Sequence, residues 1–180
     1  MYANGLKRLL DFALSLIGLV LLSPLLLILT TVGAVAMRGN PFFVQPRPGR
    51  KDRHGKERIF RLIKFRTMSN KRDASGNLLP DADRLGAYGR MLRKTSLDEL
   101  PELVNILAGD MAIVGPRPQL VRDMVFMTAE QRRRHSVRPG LTGLAQVSGR
   151  NNITWEQKLA FDLSYIDSGI TFGRDVAILL

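Results

Sequence analysis

The chain has 180 residues, of which 45% are hydrophobic and 24% are charged, and its net charge is +11. These fractions are typical of folded proteins and argue against a disordered, collagen-like or low-complexity chain. Cysteine is absent and only two histidines occur, which excludes disulfides and cysteine nucleophiles and disfavours a zinc site. Any catalytic metal would be a hard cation such as magnesium, held by carboxylates and phosphates.

The excess positive charge lies in one segment. Between Arg38 and Lys94 the chain has 16 basic and 5 acidic residues, whereas the rest of the chain is balanced. This segment predicts a partner that carries negative charge. Phosphates of nucleotides, of nucleic acid and of membrane lipids all fit, and charge alone does not separate them.

The first predicted element is a membrane helix over the 26 uncharged residues Phe12 to Met37. At roughly 1.5 Å per residue, a helix of this length can cross a hydrocarbon core of about 30 Å. Ser23-Pro24 at its centre predicts a kink or break, since proline lacks an N–H group and clashes with the preceding turn. Basic residues flank both ends, so the positive-inside rule gives no direction. A kinked spanning helix and a helix that returns to the same face both remain open.

The start of this helix has a charged face. Asp11 follows Lys7 and Arg8 by four and three residues. This spacing predicts an intrahelical ion pair, placed at the level of the lipid head groups.

The next segments are predicted as a linker and a strand. The prolines at positions 41, 46 and 48 favour an extended, turn-rich linker at the membrane surface. Residues 58–68 have the apolar and β-branched content of a short strand. Lys64 and Arg66 would project from one face of that strand, either as an anion site or as charges on a solvated edge.

A polar loop over 69–83 and a basic helix over 84–94 are predicted before the central feature of the chain. Leu100, Leu103, Val104 and Leu107 recur with helical spacing, and Gly109 suits the end of this helix. Ser96 and Glu99 fit a capping box, which would place Asp98 and Glu99 in the first helical turn.

The Asp98-Glu99 pair has two interpretations. Carboxylates in a first helical turn are ordinary and stabilise a helix by about 0.3 to 1 kcal/mol. However, this pair follows Arg93 closely and precedes the Gly-Pro-Arg-Pro turn that contains Arg117. Carboxylates beside phosphate-binding cations suit phosphoryl transfer, in which an aspartate can be the nucleophile.

The last third of the chain gives weaker predictions. Residues 132–135 are a basic cluster, interpreted as a solvated helix end or a head-group contact. Residues 138–151 are spaced by glycines that would let the backbone approach a nucleotide, although they match neither a P-loop nor a dinucleotide fingerprint. Residues 155–168 are predicted to be helical and contain Asp162.

Taken in order, the motifs resemble the bacterial sugar transferase family, the monotopic phosphoglycosyl transferases that start glycoconjugate assembly. The resemblance covers nearly the whole chain. The motifs are Lys7-Arg8-x-x-Asp11, Ser23-Pro24, Pro46-Arg47-Pro48-Gly49, Lys64-Phe65-Arg66-Thr67-Met68, Ser96-Leu97-Asp98-Glu99-Leu100-Pro101, Gly109-Asp110-Met111, Val114-Gly115-Pro116-Arg117-Pro118, Arg138-Pro139-Gly140-Leu141-Thr142-Gly143 and Gln146-Val147-Ser148-Gly149-Arg150. Leu144 departs from the pattern, since many relatives carry tryptophan there.

The resemblance implies a helix-dominated mixed α/β fold in two parts. Residues 1–38 would form a re-entrant membrane helix broken at Ser23-Pro24. Residues 39–180 would form a small catalytic domain with short strands at the membrane surface. The domain would rest on the cytoplasmic face of the bacterial inner membrane, in contact with phospholipids.

The resemblance also implies a reaction. The family transfers a sugar phosphate from a UDP-sugar to a polyprenyl phosphate such as undecaprenyl phosphate and releases UMP. Asp98 would be the nucleophile that forms a covalent phosphosugar intermediate, and Glu99 would assist by accepting a proton or by holding Mg²⁺ together with Asp98. Further residues are expected to bind substrate: Lys64, Arg66 and Arg93 at phosphates, Arg117 at the nucleotide, and Arg150 and Asp162 by their place in family motifs.

One alternative is a membrane-tethered basic module that binds anionic lipid or nucleic acid through residues 38–94. It explains the charge and the apolar segment, but not the Asp98-Glu99 pair. Aromatic residues make up only 7% of the chain and few are placed to stack on bases, so no nucleic-acid partner is expected. A membrane phosphatase or nucleotidyl transferase is a smaller rival, which would release phosphate or pyrophosphate instead of UMP.

Overall fold

A computed structural model describes residues 2–149 and 152–180 and shows a helix-rich mixed α/β chain, as predicted. The α-helices are α1 (Lys7–Leu21), α2 (Ser23–Met37), α3 (Asp81–Arg84), α4 (Ala87–Thr95), α5 (Glu102–Ala108), α6 (Leu144–Val147), α7 (Trp155–Asp167) and α8 (Phe172–Leu179). The strands are β1 (Phe42–Lys51), β2 (Glu57–Phe65), β3 (Ala112–Val114) and β4 (Gly140–Thr142). A π-helical turn (Tyr2–Leu6) and 3₁₀ turns (Leu97–Glu99, Val121–Phe126 and Gln131–Ser136) complete the described elements.

The predicted break in the apolar segment is confirmed. Helices α1 and α2 meet at Leu22 with a bend of 64°. Pro24 lies in the first turn of α2, where a missing N–H group leaves no hydrogen bond unmade. The Ser23 hydroxyl donates to the carbonyl of Val20 at 2.8 Å. Within the described residues neither helix alone has the length and apolarity of a membrane span, whereas the bent pair meets that requirement when both are taken together.

The bent pair exposes its apolar side chains and buries polar ones. Val20, Leu21 and Val35 have 64%, 73% and 75% of their surface exposed, whereas Asp11 and Ser15 are buried. This distribution is the reverse of that in a helix of a water-soluble domain.

The charged start of α1 binds the rest of the domain. Lys7 lies 3.9 Å from Asp11, which confirms the intrahelical pair, but it also donates to Asp175 of α8 at 2.5 Å. Asp11 is buried and accepts a hydrogen bond from the Ile113 N–H group at 3.0 Å. Asp11 therefore ties α1 to strand β3 as well as to Lys7, and the position of this pair at head-group level stays a prediction.

The segment predicted as a linker is strand β1, which pairs antiparallel with the predicted strand β2. Pro46 and Pro48 lie opposite Arg61 and Ile59. The backbone of odd-numbered β2 residues points away from β1, since Arg61 O and Ile63 N bond to the side chain of Asn105. The prolines occupy the matching outward positions of β1, where a missing N–H group costs no hydrogen bond of the ladder.

The glycine-spaced segment packs backbone against backbone. Strand β4 pairs in parallel with β3, and a Cβ atom at Gly140 or Gly143 would overlap backbone atoms of Gly115. These glycines were predicted to let the backbone approach a nucleotide. Gly140 and Gly143 instead let it approach the backbone of Gly115. Helix α7 follows as predicted, begun by Thr154, whose hydroxyl accepts from the Gln157 N–H group at 3.3 Å.

Candidate active site

The Asp98-Glu99 pair lies in a separate 3₁₀ turn between two helices, not in the first turn of α5. Ser96 adopts a left-handed conformation (φ 57°) and ends α4, where its N–H group bonds to carbonyls of that helix. It makes no side-chain cap, so the predicted capping box was wrong. Pro101 separates the 3₁₀ turn from α5, which begins at Glu102. The pair therefore projects from a short junction that is fixed at both ends by helices.

Helix α5 buries a polar face that its hydrophobic spacing did not predict. Glu102, Asn105 and Ile106 are buried, whereas Val104 is 43% exposed. Asn105 bridges to the outer edge of β2, donating to Arg61 O at 2.8 Å and accepting from Ile63 N at 3.0 Å. These bonds satisfy strand groups that have no strand partner, which explains why a polar residue faces the interior.

A compact ion cluster surrounds Glu99. Lys64 Nζ lies 2.9 Å from Glu99 Oε1 and 3.0 Å from the buried Glu102 Oε1. Arg117 binds both oxygens of Glu99, with Nη1 donating to Oε2 at 3.2 Å. Lys64 and Arg117 thus neutralise Glu99, and Lys64 is shared with Glu102.

The two adjacent carboxylates are in different electrostatic states. Burial opposes ionisation of Glu99, but Arg117 and Lys64 outweigh it and lower its pKa to about 2. Burial and the charge of Glu99 raise the pKa of Asp98, against the opposing effects of Lys64 and Arg93. Among the side chains that the structure describes, none hydrogen-bonds to or forms an ion pair with the Asp98 carboxylate. Asp98 therefore has the higher pKa of the two, and its carboxylate is free of the side-chain partners that hold Glu99.

Six of the predicted site residues line one cavity of about 550 Å³, namely Lys64, Arg66, Arg93, Asp98, Glu99 and Arg117. A second cavity of about 820 Å³ shares Arg93, Glu99 and Arg117 with the first. It extends along α6 and α7, where Trp155 and Lys158 line it. The ion cluster thus forms the boundary between two adjoining cavities.

Arg93, which lines both cavities, is held in place by Thr67. Its Nε donates to the hydroxyl of Thr67 at 3.0 Å, at the end of β2. Helix α4 approaches closely here because residue 89 is glycine: a Cβ atom at Gly89 would overlap the Thr67 carbonyl. The contact sets the position of a cation in the cavity.

Asp162 lines the larger cavity but is committed to a buried ion pair. Arg134 donates through Nε and Nη2 to Asp162 Oδ2, at 2.9 and 2.7 Å, and Nη2 also donates to the Arg117 carbonyl at 2.6 Å. The prediction that residues 132–135 are a solvated cluster was wrong for Arg134 and His135, which are both buried. Asp162 therefore supports the backbone of Arg117 through Arg134. Arg150 lies outside the described residues.

Several residues in or beside the two cavities were not identified from the sequence. Trp155 and Lys158 carry no motif, although Trp155 is the only tryptophan of the chain. Arg47, whose Nη1 donates to the Pro118 carbonyl at 3.1 Å, was assigned to the linker. Glu102 was read only as part of an amphipathic helix, and its burial against Lys64 depends on a strand that lies far away in sequence.

The residues present fit Mg²⁺ only together with substrate phosphates. In the described ranges no three His, Asp or Glu side chains converge as metal ligands. Asp98 and Glu99 supply carboxylates at the cavity, and the positive residues around them attract phosphate. One or two carboxylates plus substrate phosphates is the usual ligand set of Mg²⁺, so the donor chemistry is suitable.

The model of the family described as "Bacterial sugar transferase" matches residues 2–180. The chain belongs to this family. The basic-module alternative does not account for this match, and the motifs that carried the resemblance contribute Lys64, Asp98 and Arg117 to the 550 Å³ cavity.

Individual relatives agree with the family assignment. The chain is 48% identical to the uncharacterized sugar transferase EpsL of Bacillus subtilis, over 97% of this chain and 83% of EpsL. It is 36% identical to a UDP-glucose:undecaprenyl-phosphate glucose-1-phosphate transferase of Caulobacter vibrioides, over 97% of this chain and 67% of that protein. Identity is also 36% to an undecaprenyl-phosphate galactose phosphotransferase of Salmonella typhimurium, of which the chain covers 39%.

Proposed function

We propose that this chain transfers a sugar phosphate from a UDP-sugar to a polyprenyl phosphate and releases UMP. Several relatives are named for transfer to undecaprenyl phosphate, which supports the class of acceptor. One observation carries the proposal: Asp98 presents an uncommitted carboxylate to a cavity lined by six cationic side chains, among them Lys64, Arg66, Arg93 and Arg117. A nucleophile is thus surrounded by groups that bind phosphate oxygens.

The proposed reaction has two displacements at one phosphorus. The Asp98 carboxylate attacks the sugar-linked phosphorus of the UDP-sugar, the bond to the bridging oxygen breaks, and UMP leaves with the electron pair. An oxygen of the polyprenyl phosphate then attacks the same phosphorus and releases Asp98. The product is a polyprenyl diphosphosugar, and the Asp98 carboxylate is regenerated.

Glu99 is assigned a positioning role in this reaction. Its pKa of about 2 makes it a poor proton acceptor at neutral pH. Its ion pairs instead hold Lys64 and Arg117 at the junction of the two cavities. Both cations can then stabilise the charge that develops on the phosphoryl oxygens.

Mg²⁺ is proposed as the cofactor. Asp98 and Glu99 would hold it together with diphosphate oxygens, and when bound it neutralises charge on the diphosphate and makes UMP a better leaving group. The cationic side chains of the cavity would also neutralise charge on the diphosphate.

The larger cavity suits the nucleotide. It adjoins the ion cluster through Arg117 and contains the indole of Trp155 and the ammonium of Lys158. An aromatic face stacks on a base and the cations bind the phosphate of the leaving UMP. Arg117 lines both cavities and is therefore proposed to bind the nucleotide.

The bent helix pair is proposed to be a re-entrant membrane element. Its exposed apolar surface requires a nonpolar environment, and both helices contact the same domain, α1 through Asp11 and α2 through Leu29. Both ends would lie on the cytoplasmic face of the bacterial inner membrane. The catalytic domain would then meet the phosphate of a membrane-embedded polyprenyl chain.

The test is UMP release from a panel of UDP-sugars with Mg²⁺ and undecaprenyl phosphate. We expect release with at least one donor, and a fall of about a thousandfold or more in Asp98→Asn because the nucleophile is lost. Asp83→Asn, at an exposed aspartate of α3, is the matched control and should keep wild-type rates. Release of phosphate or pyrophosphate in place of UMP, or full activity in Asp98→Asn, would contradict the proposal.

A further inference from the structure

A third cavity, of about 530 Å³, lies between the start of α1 and the β3–β4 pair. It shares no lining residue with either cavity of the candidate active site. Four of its lining side chains are cationic, Lys7, Arg8, Arg50 and Arg138, and Asp11 is its one acidic lining residue. The cavity therefore has a strong excess of positive charge that the transfer reaction does not use.

Two of the guanidinium groups meet at the C-terminal end of α5. Arg8 donates to the carbonyls of Ile106 and Leu107, at 2.6 and 2.8 Å. Arg138 Nε donates to the Gly109 carbonyl at 2.8 Å. These bonds fix both side chains in place, so the positive groups are preorganised and not free surface arginines.

The helix end accounts for only part of this charge. A helix C-terminus carries roughly half a negative charge, whereas two full positive charges meet there. Each arginine has five N–H donors, and the bonds to α5 use two of those of Arg8 and one of those of Arg138. The remaining donors are available to a ligand.

Carboxylates neutralise only part of the charge of the cavity. Within the described part of the chain, Lys7 pairs with Asp11 and Asp175, but Arg8, Arg50 and Arg138 form no ion pair. Burial and the nearby charges of Arg50 and Arg8 lower the pKa of Arg138, and the carboxylates of Asp11 and Asp110 offset this only in part. Like charges held this close are stabilised by a bound anion.

The position of the cavity indicates where that anion comes from. Arg8 lies one helical turn before Phe12, where the uncharged segment begins. In the membrane orientation proposed above, on which this step rests, the cavity is therefore at the depth of the lipid head groups. Arg50 and Arg138 also line a neighbouring cavity of about 290 Å³, which provides room for the rest of a head group.

We propose that this cavity binds the phosphate of an anionic phospholipid head group, with Arg8, Arg50 and Arg138 as its ligands. The site is separate from the catalytic cavity and fixes the domain at the start of α1. Free phosphate shares the same chemistry, so the experiment distinguishes the two sources.

The experiment measures the thermal unfolding midpoint of the full chain in neutral detergent while dihexanoyl phosphatidylglycerol is added. This lipid is a phosphodiester and therefore does not mimic the phosphomonoester of the polyprenyl acceptor. We expect a saturable rise of the midpoint, because a ligand that binds only the folded state stabilises it. Dihexanoyl phosphatidylcholine and inorganic phosphate at equal concentration should give no comparable rise.

Variants locate the binding. Arg50→Glu together with Arg138→Gln should weaken the apparent affinity by about tenfold or more, since charge-assisted bonds to phosphate are lost. Arg50→Glu alone, at an exposed residue, should weaken it in the same direction and guards against misfolding of the double variant. The matched control is Arg61→Glu, an exposed arginine of the same hairpin that lines none of these cavities, and it should stay within about twofold of wild type.

Three results would overturn the proposal. Phosphatidylcholine could raise the midpoint equally, inorganic phosphate alone could reproduce the rise, or the Arg50 variants could bind like wild type. Asp98→Asn should respond to phosphatidylglycerol as the wild type does. Failure of the transferase reaction would therefore leave this binding result intact, and failure of lipid binding would leave the reaction intact.

Discussion

At the scale of single residues, two adjacent arginines show how burial determines what an ion pair contributes. Arg134 is buried and pairs with the buried Asp162 of α7, while it also donates to the Arg117 carbonyl. Arg133 is exposed and pairs with the exposed Asp167 on the same helix. The two pairs join the same elements but differ in access to water.

We predict that Arg134→Met lowers the free energy of unfolding by about 3 to 5 kcal/mol, because Asp162 is left as a buried, unpaired charge. Arg133→Met is the matched control and should change stability little, since water screens an exposed pair. Thermal unfolding in neutral detergent measures both. Equal effects of the two variants would contradict the assigned role of Arg134.

The sequence predicted which residues lie at the site better than it predicted which side chains form ion pairs with one another. The adjacency of Asp98 and Glu99 and the motifs around Lys64 and Arg117 are local patterns, and they identified residues that the fold brings to one cavity. The pairing of Arg134 with Asp162 was not predictable, because the two lie far apart in sequence and the arginine sits in a run of basic residues. A run of basic residues predicts side chains exposed to solvent, and only the tertiary structure reveals a buried carboxylate that pairs with one of them.

At the scale of secondary-structure elements, the approach of α4 to β2 places a cation in the active-site cavity. Gly89 faces the backbone of Thr67 with no room for a side chain, whereas a Cβ atom at Gly86 would meet nothing within 4 Å. Arg93, one turn after Gly89, bonds to Thr67. The helix and the cation therefore depend on the same contact.

We predict that Gly89→Ala lowers both stability, by about 1 to 3 kcal/mol, and UMP release, because α4 must move away from β2. Gly86→Ala, at the start of the same helix, should have a much smaller effect on both. Unfolding midpoints and rates measured on the two variants test this difference. Normal activity in Gly89→Ala would show that the position of Arg93 does not depend on the contact.

Elements with a strong local signal were predicted well. The break before Pro24 follows from proline chemistry, and the helix predicted over 155–168 is α7, Trp155–Asp167. Strand β1 was missed because its prolines normally exclude a strand, and they are tolerated only because the odd-numbered groups of β2 turn toward Asn105. Such compensation comes from tertiary structure and leaves no local pattern.

At the scale of the whole molecule, both helices of the bent pair are tied to one domain. Lys7 bonds to Asp175 at the start of α1, and Leu29 of α2 packs with Phe65 and Leu92. One domain thus contacts both arms of the bent pair. A helix pair that crossed the membrane would carry one of these helices away from the domain.

Labelling of introduced cysteines tests this arrangement, and the chain has no cysteine of its own. Ala3→Cys, before α1, and Arg53→Cys, between β1 and β2, are both exposed positions. We expect both to react with a membrane-impermeant thiol reagent only from the cytoplasmic side. Labelling from opposite sides would contradict the re-entrant arrangement and favour a kinked span.

The central claim is that Asp98 forms a covalent bond to the phosphosugar, and mass spectrometry tests it most directly. The protein is incubated with Mg²⁺ and the UDP-sugar that supports UMP release, without acceptor, and its intact mass and peptides are measured. The account predicts one added sugar phosphate per chain, on the peptide that contains Asp98, and none in Asp98→Asn. UMP release that depends on Asp98 but leaves no adduct, or an adduct on another residue, would contradict it.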